Sequence, residues 1–207
     1  MADTLQHSIA IYRKNLESFF TTVLENLSQV GRAFLNDDLD LAEKVVARYG
    51  EIEENFLHHE QEFVKIIALY QPFAKDLRRL MAFYKISQDM ERISALVVKI
   101  GKKTIKVADK VDSDRPKDFR DQIHHICEML ENTIRGISKS NPKLMSKVIE
   151  DRQTARSLKT SLKKQIESLF VSQPEKAKFF INVLGVSRHL DRIADLCSTM
   201  CQEFVEI

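Results

Sequence analysis

Two aspartates near the end of the chain, Asp191 and Asp195, have the spacing that places side chains on one face of a helix. Carboxylates placed in this way can hold a hard or borderline metal cation together. The same spacing also suits an exposed acidic face that pairs with nearby arginines, such as Arg188 and Arg192. The residues alone favour ion pairing, and metal binding stays as the alternative.

Three further pairs of potential ligands share this spacing: His58 with Glu62, His124 with Glu128, and Cys197 with Cys201. Histidine with glutamate can bind zinc, and a cysteine pair allows soft-metal or redox chemistry. A solvated helical face is the more common role for the first two pairs. Small buried core positions are the more common role for cysteines.

The sequence lacks the motifs of common enzyme classes. It has no nucleophile elbow, no phosphate-binding glycine loop and no dinucleotide fingerprint, and its 5 glycines are scattered. A ferritin-like metal-carboxylate enzyme needs two Glu-x-x-His motifs, whereas this chain offers only Asp121-x-x-His124. We therefore expect a protein that acts by binding and has no catalytic residues.

Composition limits the kinds of partner and the cellular location that we expect for this chain. The 207 residues include 32 basic and 30 acidic side chains, for a net charge of +2, so nothing drives the whole chain towards nucleic acid. No apolar run approaches the roughly 20 residues that span a bilayer, and the first residues lack the pattern of a signal peptide. These features predict a cytoplasmic protein.

The candidate residues lie on elements that the apolar spacing defines. Apolar side chains recur at alternating steps of three and four, beginning with Leu5, Ile9, Tyr12 and Leu16, which predicts long amphipathic helices. The segment 36–40 breaks the first helix and offers an N-cap, and Gln-Pro at 71–72 and 173–174 ends two later helices. Asn141 offers a second N-cap, with Pro142 at the first helical position. The pattern predicts an all-α fold of six long helices.

The chain also repeats itself. "SQDMERISAL" at 87–96 corresponds to "SRHLDRIADL" at 187–196, and "LAEKVV" at 41–46 corresponds to "LMSKVI" at 144–149. The polar segment 110–116 reads as the join between the halves. We therefore predict two tandem three-helix bundles, in domains 1–110 and 115–207. A single helix cannot shield its own narrow apolar stripe from water, so three helices must share a core.

The segment 71–93, "QPFAKDLRRLMAFYKISQDMERI", resembles the PhoU family, regulators of phosphate uptake built from two three-helix repeats. The residues that carry the resemblance in the first repeat are Pro72, Ala74, Asp76, Leu77, Arg78, Asp89, Glu91, Arg92 and Ile93. Those in the second repeat are Asp191, Arg192, Ile193 and Asp195. The resemblance covers essentially the whole chain.

This resemblance implies a metal site, because an acid-x-x-x-Asp motif binds multinuclear iron, zinc or nickel clusters in some members. The metal candidates that it implies are Asp191, Asp195, Glu91 and Glu53. We expect the two aspartates of the last helix to lie on an outward-facing surface.

The chain departs from the family motif at several places. Ala95 replaces the partner of Glu91, and Tyr49 stands where an acid is expected beside Glu53. In the second repeat the corresponding positions are Arg152 and Arg156, whose guanidinium groups would repel a cation and pair with the aspartates. A shift of one residue in this correspondence would place Asp151 there instead.

The resemblance further implies a regulator that binds a phosphate ABC transporter and its sensor histidine kinase, and that forms a homodimer. Asp76, Arg78, Asp89, Arg92 and Arg192 are the candidates for partner or structural contacts. The alternatives are a divergent helical adaptor without a phosphate role and, less favoured, the metal-carboxylate bundle. The lysines at 99, 102, 103, 106 and 110 either complement a helix end or dock an acidic partner or anionic membrane.

Overall fold

The computed structural model describes residues 2–107 and 116–205, which form seven α-helices and one short 3₁₀ turn joined by short connections. The helices are α1 (Ala2–Asn36), α2 (Leu39–Ala47), α3 (Tyr49–Tyr70), α4 (Lys75–Val107), α5 (Lys117–Ser138), α6 (Pro142–Ser172) and α7 (Ala177–Val205), with the turn at Pro174–Lys176. The predicted all-α fold is confirmed, and these ranges contain no strand.

Most of the predicted join between the halves, residues 110–115, lies outside the described residues. The predicted domain boundaries at 110 and 115 lie there too, so the division into domains 1–110 and 115–207 stays a prediction. Pro116 directly precedes α5.

Two helices start at caps that the sequence predicts. Asp38 Oδ1 accepts a hydrogen bond of 2.9 Å from the backbone N–H of Leu41 at the start of α2. Asn141 Oδ1 accepts one of 3.2 Å from the N–H of Leu144, and Pro142 is the first residue of α6. A cap of this kind contributes about 1 kcal/mol to helix stability.

The second predicted helix is divided, so six predicted helices appear as seven segments. Arg48, with φ −69° and ψ −6°, separates α2 from α3. Its side chain donates a hydrogen bond of 3.2 Å to Gln29 Oε1 on α1. Gly50 follows two residues later, and glycine lowers the helical propensity of the segment that contains it.

The Gln-Pro pairs end α3 and α6 as predicted. Gln71 adopts the left-handed conformation, with φ 45° and ψ 56°, and Gln173 has φ −140° and ψ 62°. Neither residue continues the preceding helix, because the ring of the following proline disfavours helical geometry.

The two halves pack side by side through α1 with α5 and through α4 with α7. The rings of Phe83, near the start of α4, and Phe204, near the end of α7, lie 5.9 Å apart between centroids. At the opposite end of α4, the side chain of Lys103 crosses Gly185, near the start of α7. Helices α4 and α7 are therefore antiparallel.

One hydrophobic core runs through both halves. Phe34 of α1 and Phe119 of α5 are both fully buried, with ring centroids 5.0 Å apart. Among residues 2–107 and 116–205, no helix has the length and apolar character that crossing a membrane requires. The apolar stripes are thus used for packing the helices against one another.

His59 of α3 lies inside the first half. It is 5% exposed, and its ring centroid lies 5.4 Å from that of Phe19 and 6.2 Å from that of Tyr12. Burial lowers the pKa of His59 to about 4, with a further lowering from His58 and an opposing effect from Glu62. The ring is therefore neutral at neutral pH, and its Nδ1 has no hydrogen-bond partner among the described residues.

The depressed pKa of His59 predicts a loss of stability in mild acid. The unfolded histidine takes up a proton near its ordinary pKa of 6.5, whereas the folded one resists protonation down to about 4. As far as His59 is concerned, the free energy of unfolding therefore has its full value above pH 6.5 and falls as the pH drops towards 4. The expected decrease between pH 7 and pH 5 is roughly 2 kcal/mol. Urea unfolding at the two pH values measures this difference.

The matched variants are His59→Phe and His58→Gln, which change a buried histidine and its exposed neighbour. We expect His59→Phe to reduce the pH dependence and His58→Gln to retain it. An equal pH dependence in both variants would contradict the assignment to His59.

Candidate functional site

Arg152 of α6 bridges the two aspartates of α7. Its Nη2 lies 2.9 Å from Asp191 Oδ1, and its Nε donates a hydrogen bond of 2.7 Å to Asp195 Oδ1. Only 11% of the Arg152 side chain is exposed. A planar guanidinium can contact two carboxylates in this way, whereas an ammonium group acts as a single point charge.

A second cation completes the cluster. Lys159 Nζ donates a hydrogen bond to Asp191 Oδ2. Arg156, which the sequence placed beside these acids, is exposed and forms no ion pair with a described residue. Lys159 takes its place because residues 152 and 159 are seven apart, or two helical turns, and face the same side of α6.

The expected outward-facing position is wrong for Asp191. Its side chain is 12% exposed, and that of Asp195 is 34% exposed. Asp191 Oδ1 and Arg152 Nη1 have no hydrogen-bond partner among the described residues, so charge attraction holds this part of the cluster. A carboxylate tolerates such burial only when cations compensate it, and here Arg152 and Lys159 do so.

The motif of the first half has different chemistry. Tyr49 of α3 donates a hydrogen bond of 3.1 Å to Glu91 Oε1 of α4. Burial raises the pKa of Tyr49 to about 12, with further contributions from Glu91 and then Glu53. The structure thus brings Glu91, Tyr49 and Glu53 together, with a neutral phenol in the place of an acid.

The side chains of both motifs do not fit the metal cluster that the family resemblance implies. A multinuclear site needs several anionic oxygens directed at the metal ions. In the second half, Arg152 and Lys159 contact the carboxylate oxygens that would have to coordinate the metal. The first half offers only Glu91 and Glu53. Across residues 2–107 and 116–205, no group of three or more histidine, cysteine or acidic residues could hold a metal ion.

The ion pair between Asp89 and Arg92 of α4 has a structural role. Arg92 Nη1 lies 2.8 Å from Asp89 Oδ1, and both residues belong to α4, so this ion pair lies within one helix. Burial raises the pKa of Asp89, Arg92 opposes this effect, and Glu203 and Arg192 of α7 act more weakly. Asp89 therefore lies at the contact between α4 and α7.

The remaining charged residues of the motif are partly or fully exposed. Asp76 Oδ1 accepts a hydrogen bond of 3.1 Å from Gln6 Nε2, which connects the start of α4 to α1. Arg192 Nη1 lies 3.8 Å from Asp195 Oδ2. Arg78 is exposed and forms no ion pair with a described residue.

Members of the other candidate ligand pairs are buried in the core or form ion pairs, as Glu62 Oε1 does with Lys65 Nζ at 3.6 Å. Cys197 and Cys201 are both buried, burial raises the pKa of both thiols, and Cys201 Sγ lies 3.8 Å from Thr133 Oγ1. Glu128 lies 3.3 Å from Lys147 Nζ. The cysteines are core residues, as the sequence favoured.

Replacing Arg152 with methionine tests the bridge between α6 and α7. We expect Arg152→Met to lower the free energy of unfolding by about 3 kcal/mol, because it leaves Asp191 buried with only one counterion. The matched control is Arg156→Met, one turn further along α6, which we expect to change stability by less than about 0.5 kcal/mol. Guanidinium unfolding measures both, and equal effects would contradict the bridge.

Comparison with known proteins identifies the fold and the repeat. The PhoU domain matches residues 16–104 and 119–204, one match in each half. The crystal structure of PhoU from Pseudomonas aeruginosa superposes with a TM-score of 0.92 at 20% identity, covering 97% of this chain and 96% of that chain. The phosphate transport system regulatory protein PhoU from Streptococcus pneumoniae superposes with a TM-score of 0.89 at 19% identity, covering 97% and 95%.

Curated relatives agree with this result. The phosphate-specific transport system accessory protein PhoU homolog of Aquifex aeolicus is 28% identical over 170 residues, covering 82% of this chain and 77% of the relative. The accessory protein PhoU of Escherichia coli is 21% identical over 204 residues, covering 95% and 85%. Since the family matches both halves and most of the length, this chain belongs to the PhoU family.

Proposed function

We propose that this chain is a cytoplasmic regulator of phosphate uptake that acts by binding other proteins, without turnover. The observation that carries the proposal is the PhoU domain match in both halves. The fold, similar to that of PhoU crystal structures over 97% of the chain, supports it. Relatives of this chain are named as accessory proteins of the phosphate-specific transport system, which supports phosphate uptake as the regulated process.

The partners that we propose are a phosphate ABC transporter and its sensor histidine kinase, contacted by a homodimer of this chain. Arg78 supports a role in such contacts, because it is exposed and has no ion-pair partner among the described residues. An uncompensated guanidinium at the surface can pair with a carboxylate of another protein in two-pronged geometry.

Deletion and complementation test the regulatory role. We expect deletion of the gene to raise phosphate uptake and phosphate-responsive transcription in phosphate-replete medium, and the wild-type chain to restore repression. Arg78→Glu should restore it poorly, because it reverses the charge offered to a partner, whereas Arg156→Glu, at another exposed arginine, should restore it fully.

Unchanged uptake and transcription after deletion would overturn the proposal and favour a helical adaptor without a phosphate role. Full repression by Arg78→Glu would remove Arg78 from the partner contact but leave the regulatory role intact.

We also propose that resident cations replace the metal at the motif of α7. The positions of Arg152 and Lys159, in contact with both aspartates, support this interpretation. It separates the chain from relatives of the family that bind iron, zinc or nickel at the acid-x-x-x-Asp motif.

Elemental analysis tests the replacement. Protein purified without chelators should contain no stoichiometric iron, zinc or nickel, and EDTA should leave its melting temperature unchanged, because the aspartates are already neutralised. A stoichiometric metal that is lost in Asp191→Ala with Asp195→Ala would contradict the proposal. A metal that both aspartate variants retain would point to a site elsewhere in the chain.

A further inference from the structure

Three lysines line a cavity of about 510 Å³ where the end of α4 meets the start of α7. The lysines are Lys103, Lys106 and Lys178, and Glu175 is the one acidic residue of the lining. Phe179 and Ile181 supply part of the apolar wall. The volume lies in the range of small-molecule pockets, roughly 300–1,000 Å³.

The position of Lys103 is built into the helix packing. Its side chain lies across Gly185 of α7, so that a Cβ at residue 185 would come within 2.6 Å of Lys103 Nζ and 2.8 Å of its Cε. Any larger residue at 185 would displace the lysine. Glycine here leaves the space through which the ammonium group reaches the cavity.

Among the described residues of the lining, three ammonium groups face a single carboxylate. Lys103, Lys106 and Lys178 form no ion pair with another described residue. Nearby, burial lowers the pKa of His189, and the charges of Lys103, Lys99 and then Arg188 lower it further. Lys99, Lys103 and Arg188 thus bring positive charge close to His189 at this end of the contact between α4 and α7.

Comparison of the two halves argues against a purely structural reason for the lysines. Lysines near the end of a helix complement its dipole, but the repeat places Glu203 of α7 at the position equivalent to Lys103 of α4. The equivalent of His189 is likewise Asp89. The same packing therefore accepts acids, and the basic residues are particular to this end of the molecule.

We propose that this cavity binds a soluble anion that carries a phosphoryl group. The negative end of the α4 dipole and the positive end of the α7 dipole offset one another here. The lysines therefore determine the sign of the electrostatic potential in the cavity. Three ammonium groups exceed what a single carboxylate can neutralise and suit a multiply charged phosphoryl group. The concave shape favours a free anion over the flat surface of a membrane. This inference does not rest on the proposed regulatory role.

Calorimetric titration of the purified chain with pyrophosphate, at about 0.15 M salt, tests the site. We expect the wild-type chain to bind and Lys103→Gln to weaken binding about tenfold. Gly185→Ala should also weaken it, because this variant moves Lys103 without changing any charge. Thermal melting followed by circular dichroism confirms that each variant is folded.

The matched control is Lys143→Gln, which removes the same charge at the start of α6. That helix has 31 residues, so Lys143 lies roughly 45 Å along it from the end that leads to the cavity. We expect this variant to change the affinity less than about twofold. The site would be overturned by no binding of pyrophosphate, by equal losses in Lys103→Gln and Lys143→Gln, or by binding only to phosphatidylglycerol vesicles.

Discussion

The structure depends on the burial of one apolar stripe per helix. A stripe of this kind is stable only when neighbouring helices cover it, and here the resulting core passes from the first half into the second without interruption. The rotation of each helix about its axis is set by that requirement. Asp191 follows the buried Leu190 and precedes the buried Ala194 by three residues, so it lies at the margin of the stripe. Packing α7 therefore carries a carboxylate into the contact with α6.

The two motifs meet this constraint differently. In the second half, a guanidinium and an ammonium group compensate the carboxylates, and Asp191 is buried between them. In the first half, Glu91 is half-buried and accepts a hydrogen bond from the neutral Tyr49. A phenol stabilises a carboxylate less than a guanidinium does. Related sequences on related helices thus give one charge-neutral bridge and one site that remains acidic.

Much of this arrangement could be predicted from the sequence. Apolar spacing, the caps at Asp38 and Asn141, and the Gln-Pro pairs gave the helices, because each of these signals is local. The repeat predicted the two bundles, and the correspondence between repeats placed an arginine near the aspartates. The spacing of Arg152 and Lys159 on one face could also have identified the second cation.

Other features depend on contacts that a single helix does not reveal. The depth of Asp191 follows from how closely α6 approaches α7. The burial of His59 did leave a signal in the sequence, because Phe56 and Phe63 lie seven positions apart and His59 stands between them, three residues after the first and four before the second. The break at Arg48 arises where the chain contacts α1 through Gln29, which no local propensity specifies.

The antiparallel contact of α4 with α7 has the geometry of an isologous interface, since residue 83 meets 204 at one end and residue 103 meets 185 at the other. The chain is thus a covalently fused dimer of its own repeat. In a dimer of separate copies, every substitution would occur twice, at two positions related by the axis. Fusion removes that restriction. A lysine in one half can occupy the position that a glutamate occupies in the other half, and the two equivalent surfaces can carry opposite charges.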